Sequence, residues 1–318
     1  MKLAKKLCAA TVKKIQLCEG DFMKYNGTIY RPPIEANTLL LPVTEGCSHN
    51  SCRFCSMYHN VKFRILSHEE IENWLKEILF DAGEYSKKFR RIYFVGADPF
   101  AISAKRLEEI ITLVKNYLPN IEIFTMYAAV RNIKAKTDEN LKRLKNLGVN
   151  DLYVGVECGL DDVLEFLNKG NTVSDIREQC GRLNDLQIRH MDMLMLGTAG
   201  KGRGEECALA SAELANEIKP DTILINTMTA FPETKLAEDI QAGKITPAGE
   251  KEILIEEKIF LENLNLPQTY FWAAHAMDSV RIAGYISEGK EKMLRILQDN
   301  IDTIDEEKFA KTFRRDHI

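Results

Sequence analysis

Residues 91–117 read RIYFVGADPFAISAKRLEEIITLVKNY. The run RIYFV is rich in β-branched and aromatic residues, the composition of a buried strand. Gly96 and Pro99 then break it. Beyond them Leu107, Ile110, Ile111 and Val114 recur at helical spacing, so an amphipathic helix follows over 103–117. The same succession extends to either side. Strands are expected at 38–44, 91–96, 121–126, 151–156, 190–196 and 221–227. Between them lie helical stretches at 67–82, 137–147, 160–186 (two helices) and 203–218.

Start and stop signals agree with these spans. Ser67 is followed three residues later by Glu70, and Thr137 by Asn140, the spacing at which a hydroxyl caps a helix start. Leu141, Leu144 and Leu147 share one helical face, and Gly148 ends that helix. Strand and helix alternating this regularly mean right-handed parallel crossovers. Six strands precede the change of pattern near residue 229. The expected fold is therefore α/β, an incomplete (β/α)6 barrel, with a flat doubly wound sheet as the other arrangement the alternation allows. Three segments follow: a helical lead-in over 1–30, a core over 31–230, and a mainly helical C-terminal extension over 231–318 that closes the barrel mouth. The extension carries a helix at 247–264 and a loop rich in proline and aromatics at 267–272.

The chain has 318 residues, with 45% apolar and 28% charged, the balance of a globular protein with a sizeable core. Its net charge of −4 argues against a broad phosphate-binding surface, so nucleic acid is not the expected partner. The lysines at 2, 5, 6, 13 and 14 are one basic patch, which a solvated helix face or frayed terminus explains better than a binding arm. No run approaches the length of a membrane span, and no apolar core of a signal peptide stands at the start. A cytoplasmic protein is expected.

Eight cysteines occupy positions 8, 18, 47, 52, 55, 158, 180 and 207. Three fall within nine residues, in Gly46-Cys47-Ser48-His49-Asn50-Ser51-Cys52-Arg53-Phe54-Cys55. A chain of this size without an export signal is not a disulfide scaffold, so the clustering points to metal. The loop follows the first strand directly and thus sits at that strand's C-terminal end, the face where α/β barrels do chemistry. Zinc and an iron–sulfur cluster both remain open. A structural zinc site wants four closed ligands, and no second pair follows, while His49 lies inside the loop itself. A 4Fe–4S cluster held by three thiolates leaves one iron open to an exogenous ligand. Cys8, Cys18, Cys180 and Cys207 have no metal spacing, and no second cluster is expected.

The cysteine spacing, with Phe54 just before the last thiol, resembles the radical S-adenosylmethionine superfamily, whose usual pattern is C-x3-C-x2-C. Here four residues separate Cys47 from Cys52. The lead-in Arg31-Pro32-Pro33-Ile34-Glu35-Ala36-Asn37 resembles a short single-cluster subfamily related to the coproporphyrinogen-dehydrogenase and elongator-type enzymes. The resemblance covers roughly residues 30–230 and implies a barrel of the radical-SAM type. It implies one 4Fe–4S cluster per chain on Cys47, Cys52 and Cys55, with S-adenosylmethionine at its open iron.

Further motifs take their roles from the same resemblance. Gly96-Ala97-Asp98-Pro99 stands where relatives hold the methionine amino group, although a plain turn capped by Asp98 is the alternative. Tyr127, in Tyr127-Ala128-Ala129-Val130-Arg131, stands where relatives touch the cofactor, and a core aromatic is equally consistent; Arg131 pairs with a carboxylate or caps the next helix. Gly155-Val156-Glu157-Cys158-Gly159 and Asn168-Lys169-Gly170 resemble a G-x-E-S-G … K-G stretch, in which Glu157 meets the ribose or amino group and Lys169 the carboxylate. Cys158 reads as a small packed residue. Gly197 opens a glycine-rich strip, Gly197-Thr198-Ala199-Gly200-Lys201-Gly202, that flanks the adenine or is only a turn. His275, in a stretch with Phe271 and Trp272, either touches substrate or is a structural histidine.

The implied activity is reductive cleavage of S-adenosylmethionine to a 5′-deoxyadenosyl radical that takes a hydrogen atom from an unidentified substrate. Flavodoxin or ferredoxin supplies the electron, and the cluster's oxygen lability implies an anaerobic host. A tRNA-modifying enzyme of the same superfamily, or an iron–sulfur sensor or electron-transfer protein that leaves the cofactor intact, are the alternatives.

Overall fold

The computed structural model describes Tyr25, residues 28–313 and residue 315. The helical lead-in expected over 1–30, with its lysines, Cys8 and Cys18, lies almost wholly outside the described residues. The chain divides into two compact units: Met1–Asn50 with Met57–Leu152, and Ser51–Ser56 with Tyr153–Ile318.

The first unit contains strands β1 (Leu39–Pro42), β2 (Thr44–Glu45), β3 (Arg64–Ile65), β4 (Arg91–Val95) and β5 (Ile123–Ala128). β4 lies between β1 and β5 and runs parallel to both, with Leu41 opposite Phe94 and Phe94 opposite Met126. These runs are continuously apolar because both faces are covered, as parallel sheets require. Leu41, Ile92, Tyr93, Phe94, Phe124 and Met126 are all fully buried. β2 and β3 form a short antiparallel pair. Helix His68–Ala82 begins at a complete capping box between Ser67 and Glu70. Helix Ala104–Tyr117 starts on Ser103, and Asp138–Leu147 starts on Thr137 and stops at Gly148. That glycine has φ +106°, and a Cβ there would stand 2.2 Å from the Glu122 carbonyl oxygen, so no other residue fits.

An ion triad ties the N-terminal ends of this unit's strands. Arg91, on β4, donates to Glu35 and to Asp151, whose side chains are 3% and 2% exposed. Thr125 Oγ1 adds a bond to the Asp151 carbonyl at 2.6 Å.

A sixth strand, β6 (Val149–Glu157), leaves residues 149–152 in the first unit and 153–157 in the second. The second unit continues with β7 (His190–Leu196), β8 (Thr222–Thr227), β9 (Tyr270–Ala273) and β10 (Ile282–Tyr285). β7, β8 and β9 are parallel neighbours, and β10 pairs antiparallel with β9. The stretch expected as two helices over 160–186 is Asp161–Phe166 and Val173–Asp185, the latter opened by a Thr172–Asp175 capping box. Helices Gly204–Ile218 and Glu250–Glu262 pack on one another.

The C-terminal extension is mainly helical, ending in Ile286–Thr303 and Glu306–Thr312. It also contributes two strands, β9 where the sequence reads as a loop and β10 where it reads as the helical tail. Phe271 and Ala273 point into the core with no exposure, while Tyr270 and Trp272 are partly covered. Among the described residues, no helix is long and apolar enough to cross a membrane.

Candidate functional site

The glycine-rich turn after β4 shapes the first unit's contribution. Gly96 has φ +145°, and a Cβ added there would fall 1.9 Å from Thr44 Oγ1. Only glycine lets the strand end approach β2 this closely. Asp98 follows, 2% exposed, at the start of the short turn Pro99–Ala101. Its side chain makes no capping bond. Instead Oδ2 accepts from Ser48 Oγ, from Arg131 Nη2 at 3.0 Å and from Asn132 Nδ2, while Oδ1 has no hydrogen-bond partner. Arg131 therefore pairs with a carboxylate, one of its two expected roles, and also reaches Ser48 Oγ at 3.2 Å.

Ser48 stands next to Cys47. The sulfur of Cys47 accepts the Asn50 backbone N–H at 3.3 Å. Asn50 has φ +45°, and its side chain donates to the Tyr58 carbonyl at 3.1 Å, so the turn after Cys47 is held at both ends. Ala97 and Tyr127 are half-buried, and the Tyr127 ring meets Tyr93 edge-on at 5.8 Å. Nearby, Lys136 donates to the Phe100 carbonyl and lies over the Phe100 ring; burial lowers its pKa to about 8.

The second unit holds the rest of the cysteine loop. Arg53 donates its backbone N–H to the Leu167 carbonyl at 3.0 Å and accepts at its own carbonyl from Leu236 N–H at 2.8 Å. Its guanidinium pairs with Asp239 at 2.6 Å and lies over the Phe166 ring. Asn168 Nδ2 donates to the Ser51 carbonyl at 2.8 Å. Cys52 and Cys55, on either side of Arg53 and Phe54, are half-buried and form no disulfide, as is true of Cys47.

β6 ends at Glu157, a buried carboxylate at φ +66°. Lys169 donates to it, and the two side chains are 13% and 8% exposed. Gly155 lies beneath the pair: a Cβ there would be 2.7 Å from both Glu157 Oε1 and Lys169 Nζ. Cys158 is fully buried, with its sulfur 3.7 Å from the Leu160 carbonyl, and faces no solvent.

The strip after β7 is turned by Gly197, Gly200 and Gly202, all at positive φ. Two acids on helix Glu250–Glu262 hold it: Glu256 accepts the Gly197 N–H at 2.9 Å, and Glu252 accepts the Gly202 N–H. Burial pushes the Glu256 carboxyl up to about 9, with Cys207 adding to the effect. A cleft of about 380 Å³ is lined by residues 198–201, Arg203, Phe166 and residues 244–246. His275 serves its own turn: its N–H donates to Asp278 at 2.9 Å and its Nδ1 accepts from Met277 N–H at 3.2 Å.

Three residues of this arrangement carry no signal in the sequence. Ser48 and Asn132 reach Asp98 across 50 and 34 positions, and Glu256 is one acid among several on its helix.

The donor set suits an iron–sulfur cluster: three cysteines within nine residues, none in a disulfide and one already accepting an N–H bond.

Comparison with known proteins agrees. The heme chaperone HemW of Bacillus subtilis (strain 168) is 22% identical over 251 residues, covering 77% of this chain and 62% of HemW. HemW of Lactococcus lactis is 24% identical over 138 residues, so the chain spans less than two thirds of the curated relatives it matches first. Among solved structures, the archaeal Elp3 of Methanocaldococcus infernus superposes with a TM-score of 0.53 at 14% identity, over 81% of this chain and 62% of Elp3. Coproporphyrinogen III oxidase (HemN) of Escherichia coli, described as a radical SAM enzyme, gives 0.51 at 16% identity, over 71% and 52%. These likenesses are of fold, the α/β partial barrel of radical SAM enzymes with a helical C-terminal part. The profile of the Radical SAM superfamily matches residues 41–215, more than half of the sequence. The cofactors of that superfamily are a 4Fe–4S cluster and S-adenosylmethionine, and its members that resemble this chain are enzymes. By this match the chain belongs to the Radical SAM superfamily.

Proposed function

We propose that this chain binds one 4Fe–4S cluster through Cys47, Cys52 and Cys55 and reductively cleaves S-adenosylmethionine. The observation that carries the reading is the set of three half-buried cysteines, none in a disulfide, within nine residues of a radical SAM sequence. When bound, the cluster and cofactor supply one-electron cleavage of a sulfonium C–S bond, giving methionine and a 5′-deoxyadenosyl radical that takes a hydrogen atom from an organic substrate.

The chain's own residues bind and orient. Phe54 shields the last thiol from water. Gly96, Ala97 and Asp98 present a close-approach turn and a buried carboxylate whose Oδ1 is available to the methionine ammonium. Tyr127 lines the same turn. Glu157 and Lys169 form a balanced acid–base pair, the acid for ribose hydroxyls and the ammonium for the methionine carboxylate. Gly197 keeps the strip after β7 flat against the adenine. Core residues 31–230 hold the cofactors, and residues 231–318 cover them. Electrons come from a flavodoxin or ferredoxin in the cytoplasm of an anaerobic host.

The test is anaerobic reconstitution with iron, sulfide and dithionite, then chromatography for 5′-deoxyadenosine. Wild type should release it, and Cys52→Ala should not. Iron uptake without any 5′-deoxyadenosine would favour an electron-transfer or sensing role.

A further inference from the structure

Strand β7 reads His190-Met191-Asp192-Met193-Leu194-Met195-Leu196, and its alternate side chains face opposite ways. His190 and Asp192 share one face. Cys180 comes from helix Val173–Asp185, and all three residues are fully buried. The Cys180 sulfur, a ring nitrogen of His190 and a carboxylate oxygen of Asp192 lie within 4.8 Å of one another. His190 Nδ1 is 2.8 Å from Asp192 Oδ1.

That contact satisfies one polar atom of each residue. Asp192 Oδ2 and His190 Nε2 make no further hydrogen bond of good geometry. The Ile218 carbonyl also interacts with the imidazole while accepting the Asn184 amide at 2.6 Å. A buried polar atom left without a well-placed partner is destabilising, so two of them beside a buried thiol make a costly way to pin a helix to a strand.

The geometry points to a second metal site: Cys180, His190 and Asp192 hold one divalent ion of the zinc class. Tetrahedral zinc with bonds of about 2.0–2.3 Å sets its ligands roughly 3.3–3.8 Å apart, so the His190–Asp192 contact of 2.8 Å opens slightly while the three donor atoms, within 4.8 Å of one another, stay close to their places. One sulfur, one nitrogen and one oxygen donor suit a borderline ion such as zinc, cobalt or ferrous iron, not magnesium or calcium, which want oxygen alone. The fourth position falls to the Ile218 carbonyl or to one enclosed water. Such an ion is structural. It loads as the helix closes on the strand, with loss of the thiol proton to solvent, and chelators remove it slowly.

The site is independent of the cysteine loop, and so is its test. Wild-type protein carrying its cluster should contain about one zinc per chain besides iron, retained through dialysis against EDTA. Crystals measured on either side of the zinc edge should show an anomalous peak between the three side chains. Cys180→Ala should lower zinc at least tenfold and leave iron unchanged, while Cys207→Ala, another buried cysteine, should lower neither. If Cys180→Ala does not fold, Asp192→Asn replaces it, with the same expected loss. A water in place of the anomalous peak, or zinc retention equal in wild type and variant, overturns the proposal.

Discussion

Lys169 donates to Glu157 at the end of β6, and Gly155 leaves room beneath for the two to meet. The pair is nearly enclosed, so the charge of each is balanced mainly by the other. Replacing Glu157 with Gln keeps the shape and removes the charge-assisted acceptor. Such bonds are worth about 1.5–3 kcal/mol. S-adenosylmethionine binding by cluster-loaded protein should weaken by at least tenfold in an equilibrium titration. Unchanged affinity would remove Glu157 from the cofactor's contacts.

Each loop cysteine should matter equally to the metal. Serine at 47, 52 or 55 should abolish the iron–sulfur absorbance after anaerobic reconstitution, with far-UV circular dichroism unaltered. Serine at Cys158, enclosed and turned to the Leu160 carbonyl, should leave iron content intact.

Gly96→Ala is the sharpest backbone test. The substitution meets both a φ of +145° and a contact of 1.9 Å with Thr44 Oγ1. Together these should cost about 2–4 kcal/mol, read as a lower midpoint in urea. Thr44→Ala alone should be mild, and in combination it should recover only the steric part.

Removing Arg91 strands two buried carboxylates, Glu35 and Asp151. Arg91→Met should lower stability by about 3–5 kcal/mol. Adding Glu35→Gln and Asp151→Asn to that variant should restore much of the loss, because the uncompensated charges are then gone.

Two acids of the second unit set a slope of stability with pH. Burial raises Asp278 from 3.8 to about 7, against the bonds it accepts from His275 N–H and Thr227. Burial raises Glu256 from 4.5 to about 9. Both bind their proton more tightly folded than unfolded. Their contribution is therefore complete below the ordinary carboxylate range and is lost as pH rises, through about 7 for Asp278 and about 9 for Glu256. The thermal midpoint should fall between these limits. Glu256→Gln should flatten the upper part of that fall and Asp278→Asn the lower, and parallel curves would sink the assignment.

The strands of the core were legible because parallel sheets bury both faces, leaving continuous apolar runs such as RIYFV and TILIN. Ser67, Thr137 and Gly148 marked helix ends through bonds made within four residues. The cysteine loop was legible for the same local reason. Strands β9 and β10 were not: four residues each, one beside Pro267 and the other holding Gly284, they carry too little alternation to stand out. Nor could spacing reveal that Ser48, Arg131 and Asn132 converge on Asp98, since tertiary packing alone brings them together. Glu256 is hidden differently. Its helix is acid-rich and buries Glu250 and Glu257 as well, and only the bond it accepts from Gly197 N–H singles it out.

Arg53 is tied down by two backbone bonds, an ion pair and an aromatic face, all supplied by the second unit. Most of the conformational entropy of the segment carrying Cys52 and Cys55 is thus surrendered during folding. Cluster assembly then meets a receptor already in shape, and its affinity is not diluted by the ordering of a loose loop. Loss of iron to oxygen should likewise leave this segment in place, ready to be filled again.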